Sequence, residues 1–216
     1  MTYRFRILSL TLSVALFVTG CGGTSQKYAA SKSEGVYFTV PPSWSEISTE
    51  RLTTHEAQSK EPGAAEKLSL VRWQIAFASA PGVSPKDIFS FVATDVPVAY
   101  ARVRSLIPAE ANAVSYNSLR NVIVPLTEWV SNPTKSTPVF SIIDDYEVIE
   151  KGARGVRTIY SFTDAGKSQT VDQTSVVSND RQKMYIFVIR CSTECYNKNY
   201  VLMTKISDSF TVRGAR

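Results

Sequence analysis

One histidine, three cysteines and nineteen acidic residues are the groups with which this 216-residue chain can do acid–base, nucleophilic or metal chemistry. A serine, threonine or cysteine nucleophile usually needs a base, most often histidine. His55 stands in the polar run Thr53–Lys60, which reads as a solvated connection and not as part of a triad. Asp144, Asp145 and Glu147 are the densest carboxylates; on a strand Asp145 and Glu147 share one face and Asp144 takes the other. A glycosidase needs two carboxyls opposed across a cleft. No opposing partner is visible in the sequence, so these three read as solvent-face charges. Gly152-Ala-Arg-Gly155 lacks the spacing of a phosphate cradle and follows no strand-to-helix junction. Its glycines read as the means of a tight turn. Arg154 and Arg157 beside that turn are candidates to meet an anionic headgroup. No cluster has metal-ligand spacing, and neither a metal nor a cofactor is expected.

Cysteine chemistry begins at the other end of the chain. Arg4 and Arg6 precede an apolar run from Ile7 to Val18, the charged and apolar parts of a secretory signal. The run is shorter than the roughly 20 apolar residues of a membrane span. Val18-Thr19-Gly20-Cys21 then resembles the lipobox of bacterial lipoproteins, with valine where leucine is usual. That resemblance implies diacylglycerol on the Cys21 thiol and cleavage before it, against the alternative of a plain secretory signal with an incidental cysteine. Residues 1–20 are therefore read as a signal peptide and 21–34 as lipidated cysteine plus tether. The stretch Gly22–Ser33, rich in Gly, Ser, Thr and Ala, has the composition of a flexible linker. The expected location is the cell membrane, lipid-anchored and facing outside the cytoplasm.

Residues 35–213 then form one exported domain, long enough for a real core. Without Arg4 and Arg6 the chain keeps 22 basic against 19 acidic residues, and no stretch concentrates the basic ones as a nucleic-acid face requires. Cys191 and Cys195 are an even pair in an oxidising compartment and read as a disulfide closing a very short loop. Three intervening residues depart from the two of a redox motif, and zinc would need more ligands.

The elements that must position these groups emerge from periodicity and punctuation. Val36–Val40, stopped by Pro41-Pro42, reads as a strand, and Leu68–Ala78 as a second. Ser84-Pro-Lys-Asp87 opens a helix with a capping box. Ile88, Phe91, Val92 and Val96 give it a core-facing stripe, and Tyr100, Val103 and Ile107 continue the stripe beyond Pro97. Asn121–Trp129 reads as a possible strand and Ser131–Pro138 as a loop. Strands are expected over Val139–Glu150, Val156–Thr163, Gln169–Val177 and Met184–Arg190, joined by turns at Gly152–Gly155, Asp164–Lys167 and Ser178–Gln182. A helix over Tyr196–Ser209 and a short strand Phe210–Val212 close the chain. Consecutive hairpins with helices laid over them make an α+β fold, an antiparallel β-sheet covered by helices. Trp44 and Trp73 read as core. Trp129, beside the Pro-rich loop, is the tryptophan expected to be partly exposed, and with it Pro108–Pro138 is the expected interaction surface.

The segments Gly35–Trp44 (GVYFTVPPSW), Gly152–Phe162 (GARGVRTIYSF) and Ile206–Val212 (ISDSFTV) resemble the exported actinobacterial lipoproteins of the PsbP-like fold. That fold, a PsbP-like α/β sandwich, is shared with the extrinsic PsbP protein of photosystem II and the Ran-binding Mog proteins. The resemblance implies a binding or assembly factor for an envelope protein or small ligand, without a catalytic signature. An envelope hydrolase lacking a histidine base is the alternative. Under the lipobox reading, Cys21→Ser is expected to abolish labelling by fatty acid and to release the protein from washed membranes. Retained label on the substituted chain would refute the anchor.

Overall fold

The computed structural model describes residues 26–90 and 92–213; Cys21, with the signal peptide expected before it, and Phe91 lie outside the described residues. Alternation of inward and outward side chains builds the strands of two sheets. Lys27–Ser31 (β1) and Val36–Val40 (β2) pair antiparallel over five residues, with Ala29, Val36, Phe38 and Val40 turned inward. Thr211–Val212 (β10) returns from the far end of the chain to the other edge of β2, giving a small sheet in the order β1-β2-β10. The linker expected over residues 21–34 is thus corrected from Lys27 onward. Small residues at 29 and 31 fit beneath a strand as readily as they make a flexible chain, and the ladder with β2 decides between the two.

The large sheet has seven antiparallel strands. Ser45–Ile47 (β3), Val71–Ala78 (β4) and Val98–Ser105 (β5) form one half. Phe140–Ile149 (β6), Ala153–Asp164 (β7), Lys167–Ser178 (β8) and Lys183–Ser192 (β9) form the other. Their order is β3-β4-β5-β9-β8-β7-β6. The hairpin series from residue 140 to 192 keeps the turns expected at Asp164–Lys167 and Ser178–Gln182, while the one expected over Gly152–Gly155 shrinks to Lys151–Gly152 because β7 begins at Ala153. The Asp164–Lys167 turn carries Ala165 and Gly166 at positive φ, 47° and 78°.

Helices cover both faces. Thr49–Glu56 (α1), Ala64–Ser69 (α2) and Pro85–Phe89 (α3) lie over one half of the sheet. Pro108–Ala113 (α4), Tyr116–Arg120 (α5) and Leu126–Ser131 (α6) lie on the same side of the other half. Thr193–Lys198 (α7) and Tyr200–Asp208 (α8) cover the opposite face together with the small sheet. The result is an α+β fold, an antiparallel sheet between two covering layers.

Several expected elements differ, each for a physical reason. Residues 64–69 coil into α2 ahead of the strand expected from Leu68. The helix opened by Ser84 has its Asp87 carboxylate accepting from the Ser84 N–H and hydroxyl, at 2.8 and 2.6 Å. It ends at Phe89, because the buried Arg190 guanidinium takes the carbonyls of Asp87 and Ser90, both at 2.6 Å. Beyond Pro97 the chain is the interior strand β5, not a helix. Ala99, Ala101 and Val103 face one layer while Tyr100, Arg102 and Arg104 face the other. Tyr100 and Val103 satisfy a helical spacing as well, and burial between β4 and β9 overrides it. Asn121–Trp129 is a turn leading into α6 and not a strand. The single helix expected over Tyr196–Ser209 is two, broken at Asn199.

One buried ion pair ties the second layer down. Arg157 on β7 donates from Nε and Nη2 to the two carboxylate oxygens of Asp172 on β8, at 2.8 and 2.7 Å. Asp172 is fully buried and also accepts from Tyr196 Oη (3.2 Å) on α7 and Ser207 Oγ (2.8 Å) on α8. Arg157 reaches Asp208 through Nη1 at 2.5 Å and lies over the Tyr146 ring, 5.9 Å from its centroid. Removing one partner of such a pair leaves the other charge stranded, at a cost of about 3–5 kcal/mol. Arg157→Met is therefore expected to lower unfolding stability by that order in denaturant titrations. The double change Arg157→Met with Asp172→Leu should recover most of the loss; a single change worth only a few tenths would show the network to be dispensable.

Candidate functional site

The two helical clusters on the α1–α6 side do not meet. Ile47, Leu52, Ala76, Ala78, Ile88 and Val98 form one apolar core under α1 and α3. Leu119, Leu126, Val156, Tyr160, Phe162 and Val188 belong to another under α5 and α6. Between them a groove of about 990 Å³ runs over the junction of β5 and β9. Its floor is Arg102 and Arg104 from β5 beside Ile186 and Met184 from β9, which the ladder places directly opposite them. Half-buried Leu68, Phe89, Leu106, Val114 and Val122 supply apolar walls.

Ion pairs fix the polar part of the groove. Arg102 Nη2 donates to Glu56 Oε1 at 2.7 Å, and the two side chains are 20% and 21% exposed. The other Glu56 oxygen accepts from Gln74 Nε2 at 2.8 Å. Gln74 is fully buried on β4, donates also to Thr53 Oγ1 (3.2 Å), and accepts from the Tyr100 hydroxyl (2.8 Å). Burial pushes the Tyr100 hydroxyl well above its ordinary range, so it stays a neutral donor. This chain roots the last turn of α1 in the sheet. On the opposite wall Arg104 grips Glu110 with both terminal nitrogens, at 3.0 and 2.8 Å. Glu110 accepts in addition from the Ile107 N–H at 3.2 Å, holding the first turn of α4. The Arg104 bonds draw the Glu110 carboxyl below the usual carboxylate range, against a smaller opposing effect of burial. Arg102 Nε is buried and has no hydrogen-bond partner among the described residues.

The residues singled out in the sequence are scattered over the fold. His55 lies on the last turn of α1 and not in an open connection. Its ring stacks on Phe89 at 5.8 Å with an interplanar angle of 3°, on the edge of the groove. Asp145 and Glu147 do share a face of β6, turned toward α5. Asp145 accepts from Arg120 (2.8 Å) and Thr158 (2.7 Å), and Glu147 from the Tyr116 hydroxyl. Arg154 is exposed on β7, opposite Ile149 and Val177. Arg157, expected beside it at an anionic headgroup, is instead spent on Asp172 inside the protein. Gly155 is a strand residue, not a turn residue: a Cβ there would stand 2.1 Å from the Ser175 carbonyl oxygen. Trp129 is partly exposed, as expected, yet it packs on Phe162 and Phe140, 5.5 and 5.6 Å between ring centroids, and so also closes a core. Cys191 and Cys195 are bonded to each other where β9 passes into α7. Among the described residues no three of the His, Cys, Asp and Glu side chains group as metal ligands.

Arg102, Arg104, Glu56 and Glu110 were not legible as a site. Arginines two apart share a strand face, but Val98–Ser105 satisfies a helical spacing too, and that reading separates them.

No family model and no curated protein matches the chain. Among solved structures, it is similar to cyanobacterial PsbP from Synechocystis sp. PCC 6803, at 12% identity over 89% of this chain and 95% of that one, with a TM-score of 0.48. It is likewise similar to LpqN, involved in cell envelope biogenesis of Mycobacterium tuberculosis, at 14% identity, 87% and 90% coverage and a TM-score of 0.46. The Ran-binding protein Mog1p of Saccharomyces cerevisiae gives 10% identity, 89% and 97% coverage and a TM-score of 0.47. These likenesses are of backbone course and carry over no residue.

Proposed function

We propose that this chain is a lipid-anchored binding protein of the cell envelope, without catalysis of its own, whose groove takes a small amphiphilic ligand. The carrying observation is the composition of the groove: an apolar wall and half-floor of Met184, Ile186, Leu106, Val114 and Val122 set against Arg102 and Arg104. Its volume of about 990 Å³ lies at the upper end of small-molecule sites. An apolar body laid against the β9 side is removed from water, while an acceptor at the other end meets the Arg102 guanidinium beside its bond to Glu56. His55, Glu61 and Lys67 also line the groove, but the carboxylates at its floor are committed to its arginines, Glu56 to Arg102 (and to Gln74) and Glu110 to Arg104. Such paired groups orient a ligand better than they transfer protons, which favours binding over turnover.

A sulfonated naphthalene dye, an apolar ring system with one anionic head, is a direct probe. The native chain is expected to bind it with a rise in fluorescence. Ala64→Trp and Ala113→Trp fill the groove from wall positions that are not buried, and each should weaken binding about tenfold or more, the loss of roughly 1.4 kcal/mol of contact. Arg102→Gln should weaken the anionic dye more than its uncharged analogue. Undiminished binding by both tryptophan variants, with unchanged thermal midpoints, would refute the groove as the site.

A further inference from the structure

We infer that the outer face of the small sheet together with α8 lies flat on the bilayer to which the chain is tethered, given the proposed lipidation of Cys21. Because β1 takes up Lys27–Ser31, the domain is entered at Gln26, five residues after Cys21. Five residues reach at most about 17 Å when fully extended. The surface around Gln26 is therefore held within that distance of the lipid, and it is the surface that must face the membrane.

That surface has an interfacial composition. Gln26 shares a shallow cleft with Thr39 and with Tyr200, Val201, Thr204 and Lys205 of α8. Tyr28 stands opposite Thr39 in the β1–β2 ladder and is 76% exposed; Tyr200 is 53% and Val201 80% exposed. Tyr37 lies two residues along the same face, with the Arg213 guanidinium over its ring at 5.5 Å. Exposed tyrosines and an aliphatic side chain, flanked by Lys205 and Arg213, match the headgroup region, where amphipathic rings and basic groups are both favourable. Asp208, the acidic member of the cleft, is paired from below with Arg157, a cation it shares with Asp172, and lies in the cleft beside Lys205. The small sheet and α8 lie across the large sheet from the groove, so this docking turns the groove away from the bilayer.

The test uses the full lipidated chain in vesicles of seven parts phosphatidylethanolamine to three of phosphatidylglycerol, some carrying spin-labelled acyl chains. A fluorophore is placed at Val201→Cys or, on the opposite side, at Lys60→Cys. The label at 201 is expected to be quenched several-fold more than the label at 60. Adding Tyr200→Glu to a chain labelled at Tyr28→Cys should remove quenching there while the protein still floats with the vesicles. Equal quenching at 201 and 60 in protein that floats would overturn the docked face and leave the anchor standing. Native chain that does not float, or floats equally as Cys21→Ser, would overturn the anchor and this inference with it. Self-quenching between labels at 201 without quenching by lipid would show a second copy on the face, and would overturn it too.

Discussion

A fully buried carboxylate has to be answered, and in this fold the answer organises one whole layer. Asp172 sits in the middle of β8 with no solvent contact. Its four acceptor bonds come from β7, α7 and α8, from Arg157, Tyr196 and Ser207. Those two helices are short, and helices of that length have little stability alone. They keep their place because the sheet holds a charge that their side chains must satisfy. Phe210 and β10 follow α8 directly, so the same constraint delivers the last strand to β2 and closes the small sheet. The cost of burying two charges is not recovered as net stability. What the pair supplies is a unique position for the C-terminal segment, since an apolar contact would tolerate sliding and this geometry does not.

The other face of the sheet has buried polar groups of its own, Gln74 and Arg190, but each ties down a single short helix, α1 and α3. There two apolar cores grow separately over the two halves of the sheet, each under its own short helices, and ion pairs occupy the seam. A single long helix crossing β5 and β9 would have merged the cores and removed the groove. Arg190 shows how the seam is kept open at one end. It gives its hydrogen bonds to the carbonyls at the end of α3 and to Gln169, stopping the helix at five residues.

The hairpins from Phe140 to Ser192 were legible because local signals agree there: alternation, Gly and Asn-Asp turns, and strand lengths that match. β6 illustrates the limit. It is an edge strand with Ile142, Ile143 and Ile149 exposed. The carboxylates Asp144, Asp145 and Glu147, with a register shift between Ile142 and Asp144, discourage edge pairing. Carboxylates read as surface charge were partly that, and partly ties to α5. β5 and β1 were misread for opposite reasons. β5 has both a helical and a strand period, and only burial between two neighbours selects one. β1 has a linker's composition, and its partner β2 is what orders it. The groove residues were invisible for a related reason: Glu56, Arg102, Arg104 and Glu110 come from three elements, and no spacing along the chain announces their meeting. The disulfide was legible because its two ends lie four residues apart.

Under the proposed lipidation of Cys21 and docking of the small sheet, the strand at Lys27–Ser31 would have a consequence for how the protein explores its surroundings. A lipoprotein on a long linker sweeps a hemisphere and encounters partners in every orientation. One whose linker has been consumed by a β-ladder moves as a raft, diffusing in two dimensions with a fixed top and bottom. Its encounters with anything in the envelope space then become selective for orientation before any contact is made. Its reach above the membrane would be set by the thickness of the domain itself. In that orientation a ligand of the kind proposed for the groove would meet an open seam from the aqueous side, and one leaving the same bilayer would have to travel around the molecule.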